Sequence, residues 1–148
     1  MPLLEKDALK ERLADVLGSE GGREWSQRLG AATMSVLLDT VDALVTAGVS
    51  VVAEANFARG LHDERLRSLA ARVVEVHCEA PLDVLRERLR ARDATRHPIH
   101  YDAEYAERDL AQRIGDGVHD ALGLGEVIRV DTTAPADVAA LAAAVRAL

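Results

Sequence analysis

Residues 49–60 read VSVVAEANFARG. Small apolar residues, several of them β-branched, run up to a carboxylate at Glu54. An amide follows at Asn56 and a cation at Arg59. A run this apolar fits a strand covered on both faces, as in a parallel sheet. In α/β proteins ligands bind just beyond the carboxyl ends of such strands. The fold therefore turns on what flanks this stretch, and the function on which polar groups join Glu54 at its end.

On the upstream side, SQRLGAATMSVLLDTVDALVTAG has Leu29, Ala32, Val36, Leu37, Val41, Leu44 and Val45 on one stripe, which predicts a helix. Gly48 is its stop. Before it, GSEGGREW is a polar loop, and DALKERLADVLG predicts a helix N-capped by Asp7 and ended by Gly18. PLLEKD is a short apolar stub. On the downstream side, HDERLRSLAA predicts a short helix with acidic residues in its first turn. RVVEVHCEA predicts a strand, and PLDVLRERLRARD a helix with Pro81 at its first position. AEYAERDLAQRI predicts a helix, EVIRVDTT a strand and PADVAALAAAVRAL a closing helix. Strands that alternate with helices imply a parallel sheet with right-handed crossovers.

The totals bound the rest. The chain has 148 residues and a formal net charge of -7. That length makes one domain, here 1–148. The acidic balance argues against general binding to nucleic acid, which needs clustered cations. The longest apolar run is too short to cross a bilayer, so no membrane partner is expected. The N-terminus is charged within seven residues and shows no signal-peptide pattern. The single cysteine, Cys78, is expected to be a small buried hydrophobe in a reducing cytoplasm. His97, His100 and Asp102 in RHPIHYD lack the donor set of a zinc site, and no metal site is assigned. Ser26, Thr33 and Ser35 have no elbow or acid–His partnership, so a hydrolase triad has no support. Trp25 and Tyr101 read as packed aromatics and His77 as a structural histidine.

The order PLLEKDALKERLAD, VVAEANF, VVEVHCEAPLDVLRERLRARDATRH, VIRVDTT resembles the P-loop kinase-like phosphotransferases. This is the broad group of AAA-family ATPases of zeta-toxin and chloramphenicol-phosphotransferase type, and the resemblance runs along nearly the whole chain. It implies a three-layer α/β fold with a parallel sheet, ATP and magnesium as cofactors, and transfer of a phosphoryl group to a small-molecule hydroxyl. By that resemblance Asp7 matches the acceptor-side carboxylate and Arg92 a catalytic lid cation. Glu54, Asn56 and Arg59 match substrate-binding positions. Arg88, Arg96, Thr132 and Thr133 match cofactor-binding positions, and residues near 92–105 match the lid. Arg88, Arg92 and Arg96 share a helix face if the helix continues that far.

The chain departs from the group in one respect. A P-loop, G-x-x-x-x-G-K-[ST], needs a lysine after glycine. The only lysines are Lys6 and Lys10, which follow Glu5 and Leu9. The sequence begins where the group's second strand would begin, so an N-terminally truncated domain is expected, lacking the first strand, P-loop and helix. Nucleotide binding and kinase activity are then expected to be absent or very weak. The strands flanking the missing one should either close on each other or stay open and pair into a homodimer. A non-catalytic binding or assembly module is the alternative reading.

Overall fold

The computed structural model describes residues 1–100 and 103–148. Tyr101 and Asp102 lie outside the described residues. The element order is β1 (Leu3–Glu5), α1 (Lys6–Leu17), α2 (Gly22–Thr46), β2 (Val52–Glu54), α3 (Asp63–Arg67), β3 (Val74–Glu79), α4 (Leu82–Asp93), α5 (Ala103–Gly115), β4 (Glu126–Asp131) and α6 (Val138–Ala147). The three runs read as strands form β2, β3 and β4, the PLLEKD stub supplies β1, and the fold is mixed α/β with parallel pairing.

The strands make two separate parallel pairs. β1 lies beside β2 in the register Leu3–Val52, Leu4–Ala53, Glu5–Glu54. β3 lies beside β4 from Val74–Glu126 to Glu79–Asp131. β2 and β3 do not hydrogen-bond to each other, so the two pairs have not closed into one sheet. None of the strand residues is buried, although parallel strands are ordinarily covered on both faces. A linker joins the pairs instead. Arg59 N–H donates to the Val118 carbonyl at 2.9 Å, and Leu122 N–H donates to the Glu75 carboxylate of β3 at 2.8 Å. Gly125 completes this linker where any side chain would strike the Val73 carbonyl, since a Cβ there would sit 2.1 Å from its oxygen.

α2 is the organising helix. Met34, Leu37, Leu38 and Val41 form one core cluster with Leu66 and Leu122, and Leu4, Val51, Ala53 and Phe57 pack against it. One or two turns earlier, Leu29 joins Ala14 and Ile99 in a second cluster beside Leu13 and Trp25. By length and composition α2 could cross a membrane, because it tolerates its few charges within a long apolar window. Counting only unbroken apolar runs misses that. Here its stripe is spent on the core. Thr33, in the same stripe, turns its hydroxyl back to the Leu29 carbonyl at 2.7 Å, so its polar atom is satisfied within the helix.

Several element ends differ from the sequence expectations. Glu5, not Asp7, is the N-cap of α1, and Asp7 falls in the first turn. α2 starts at Gly22, taking in part of the expected loop. Pro81 is the N-cap of α4 rather than its first residue. α4 stops at Asp93, so Arg96 is not on the helix that carries Arg88 and Arg92. Gly48 does end α2, at a φ of 76° that favours glycine. Cys78 is exposed, because no element covers that face of β3.

Candidate functional site

β1 delivers the chain directly into α1, which sets Asp7 at the carboxyl edge of the β1–β2 pair. The helix N-terminus favours its negative charge. Lys6 Nζ donates to Asp7 Oδ1 at 3.0 Å. Burial pushes the Asp7 carboxyl upward, but Lys6, His100 and Arg96 outweigh it and hold the pKa below the ordinary value. Glu54 ends β2 beside Glu5. Its pKa is raised, by burial first and then by the charges of Asp7 and Glu5. Two neighbouring carboxylates are thus driven in opposite directions, the pattern that separates acid from base roles.

Behind this pair the sequence signal was absent and the structure supplies a second tier. Lys10 follows Asp7 by three residues, so it shares its helix face. Its side chain is buried, and its ammonium donates to Ser26 Oγ at 2.7 Å. Ser26 in turn donates to the Ile99 carbonyl. Burial and the neighbouring Lys6 lower the Lys10 pKa to about 8, against the pull of Asp7 and Glu11. His100 Nε2 lies 2.9 Å from Glu11 and His97 Nε2 lies 3.2 Å from Asp15. The segment after α4, expected to be a lid, is therefore fastened to α1 and α2 through residue 100, with Ile99 only 1% exposed.

The structure divides the predicted site residues. Asp7, Glu54 and Arg96 come together. Burial, Arg92 and then Asp7 bear on Arg96, and its pKa is lowered. Arg88 goes elsewhere. It donates to the Thr132 hydroxyl at 3.3 Å and to the Thr132 and Thr133 carbonyls. The Thr132 N–H is taken by the Glu79 carbonyl at 2.8 Å and the Thr133 N–H by Asp131 at 2.8 Å. The Thr133 hydroxyl and N–H both donate to Asp131 and lower its pKa. Arg92 is exposed at the end of α4, near Arg96.

Arg59 turns from the expected substrate position to the linker. It donates to the Ala121 carbonyl at 2.6 Å and faces Asp120 at 3.9 Å, not Glu54. Asn56 is exposed in the same loop. Arg90 makes a two-point pair with Glu107 at 2.6 and 2.8 Å, which ties α4 to α5. Glu79 pairs with Arg129 across β3 and β4. His77 faces Glu79 at 3.6 Å, a structural arrangement as expected. Trp25 packs beside Ile99 and donates its indole N–H to the Gly18 carbonyl at 2.8 Å.

What converges at Asp7 can hold a hydroxyl. An ionised carboxylate accepts the hydroxyl proton, and Lys6 and Arg96 offset negative charge that develops nearby.

The fold and sequence have known counterparts. The AAA domain family pattern matches residues 1–114. A crystal structure of a candidate kinase from Chloroflexus aurantiacus is similar to this chain at 36% identity with a TM-score of 0.88, covering 99% of this chain and 83% of that one. No curated protein sequence matches. The match extends along the β1–α1 edge, both strand pairs and α4, so the P-loop kinase-type α/β fold is shown, and the chain belongs to the AAA domain family.

Proposed function

We propose that this chain carries the acceptor side of a nucleotide-dependent phosphotransferase, with a small-molecule hydroxyl as acceptor. The observation that carries the reading is the Asp7 cluster: one carboxylate held ionised by Lys6, His100 and Arg96, beside Glu54 with its raised pKa. Asp7 would orient the hydroxyl and accept a hydrogen bond from its proton. Glu54 would hold a second hydroxyl or water. Arg96, with Arg92 behind it, would balance charge on the transferring group. In phosphoryl transfer, positioning and charge neutralisation supply most of the rate.

The family generally uses ATP and magnesium, which would bring the phosphoryl group and the balancing divalent charge. The residues present do not fit that pair. The 148 residues contain no G-x-x-x-x-G-K-[ST]. The Thr132 and Thr133 N–H groups and the Arg88 guanidinium are engaged within the chain. Among the described residues no three carboxylate, histidine or cysteine groups gather as a metal site. No step is therefore routed through the nucleotide. The second reading is a non-catalytic kinase-like module that binds a ligand or a partner chain, and it is supported by the Thr132–Thr133 edge being closed on itself.

Transfer of labelled γ-phosphate from ATP to a panel of small hydroxyl compounds separates the readings. The expected result is no turnover, or a trace that Asp7→Asn lowers about 100-fold or more. A trace that persists unchanged in Asp7→Asn removes Asp7 from the reaction. Calorimetry of ATP, with and without magnesium, is expected to show no binding. Micromolar, magnesium-dependent binding abolished by Arg92→Ala would instead show a working nucleotide site.

A further inference from the structure

We propose that α6 and the apolar face of β3–β4 form a two-fold interface between two copies of this chain, each copy laying its α6 across the other's β3–β4 face.

Side chains alternate along a strand, so Val74, Val76 and Cys78 share one face of β3. The register adds Glu126, Ile128 and Val130 of β4 to that face. The opposite face is polar and finds its partners within the chain. There Glu79 pairs with Arg129, and Glu75 accepts the Leu122 and Gly123 N–H groups. The apolar face is the barer one. Val76 is 39% exposed, and Cys78 is exposed. α6 is a second bare apolar surface. Its ten residues carry one charge, Arg146, and none of them is buried. A helix this apolar ordinarily lies against a core.

The exposed area measures what is uncovered. A folded monomer of 15.9 kDa exposes about 7,400 Å². This chain exposes 9438 Å², about 2,000 Å² more. A standard interface takes about 800 Å² from each partner, and obligate homodimers take more. The excess is therefore of homodimer size.

Length and charge point to a second copy. α6 is about 15 Å long and β3 about 20 Å. A helix laid antiparallel to the two strands brings its last turn over their first residues. Arg146 stands in that last turn, and Glu126 opens β4 as the sole charge on the apolar face. Among the described residues neither makes an ion pair within the chain. One bare surface thus carries an anion and the other a cation, at matching ends. A two-fold axis satisfies both at once, with Arg146 of each copy against the partner's Glu126. The interface stands on these surfaces alone and does not depend on Asp7 handling an acceptor.

Sedimentation of the full chain from about 1 to 200 μM is expected to show a dimer that dissociates on dilution or persists throughout. Cys78 is the sole cysteine and lies in the covered face. In the dimer its thiol is expected to react with a disulfide reagent at least about tenfold more slowly than in the urea-unfolded chain. A chain that stays monomeric across the range overturns the proposal and leaves these surfaces to a different partner. So does a dimer whose Cys78 reacts as fast as in urea. Arg146→Glu and Glu126→Arg, each alone, are expected to weaken self-association about tenfold with unchanged circular dichroism. An equimolar mixture of the two variants is expected to restore the dimer, because each mixed pair regains both opposite-charge contacts. Single reversals without effect, or a mixture that fails to restore the dimer, overturn the proposal. The thiol reading on the unmutated chain decides it if either variant does not fold.

Discussion

The two strand pairs have parallel register in common and differ in what their ends do with charge. At the end of β1 and β2, Asp7, Glu54, Lys10, Arg96 and His100 crowd together, partly out of water, and every one of them has a displaced pKa. At the end of β3 and β4, Arg88, Thr132, Thr133 and Asp131 lie exposed, with donors and acceptors closed on one another. The first arrangement keeps groups strained and directed at a common point. The second satisfies itself. The first edge is therefore the candidate site of this chain, and the second is a turn closed on itself.

Three substitutions test that contrast, in decreasing order of effect. Ile99→Ala removes the most enclosed side chain of the segment after α4 and leaves a cavity against Ala14 and Leu29. It should cost about 2–5 kcal/mol, read as a lower urea midpoint. A loss below about 1 kcal/mol would mean that the segment after α4 is not held as described. Lys10→Met replaces a buried cation. The folded chain binds this proton less readily than the unfolded chain, because the pKa falls from 10.5 to about 8. Wild-type stability should therefore climb as pH rises from about 8 to 10.5, on the order of 2 kcal/mol, and the variant should lack that climb. Urea midpoints across that range decide it. Arg88→Ala, at the other edge, should change stability by less than about 1 kcal/mol, since its contacts are exposed. A larger loss would erase the contrast between the edges.

The legible part of the fold was the part written in local pattern. Four apolar runs became four strands, and Gly18 and Gly48 closed the helices they were expected to close. Asp7 and Glu54 were legible through the family resemblance, and the structure brings them to one edge because Glu54 ends β2 beside Glu5 and Asp7 lies two residues past Glu5. The second tier could not. Ser26 and Ile99 are 73 positions apart, and their bond exists only because α1, α2 and the segment after α4 pack together. The arginine row failed for a local reason with a distant effect. One early helix end, at Asp93, sent Arg96 to Asp7 and left Arg88 on the Thr132 loop. Cys78 failed because an apolar strand reads as buried whatever covers it, and here that face of β3 is bare.

Both strand pairs join segments distant in the chain: Leu3 meets Val52, and Val74 meets Glu126. The α1–α2 hairpin, by contrast, closes over a few residues between Leu17 and Gly22. Closing short loops is fast and long-range parallel pairing is slow. The order of folding is thereby set. The helical hairpin should gather first, with Leu29 against Ala14, while both strand pairs are still open. Substitutions at that contact should slow folding, and substitutions along β3 and β4 should mainly speed unfolding.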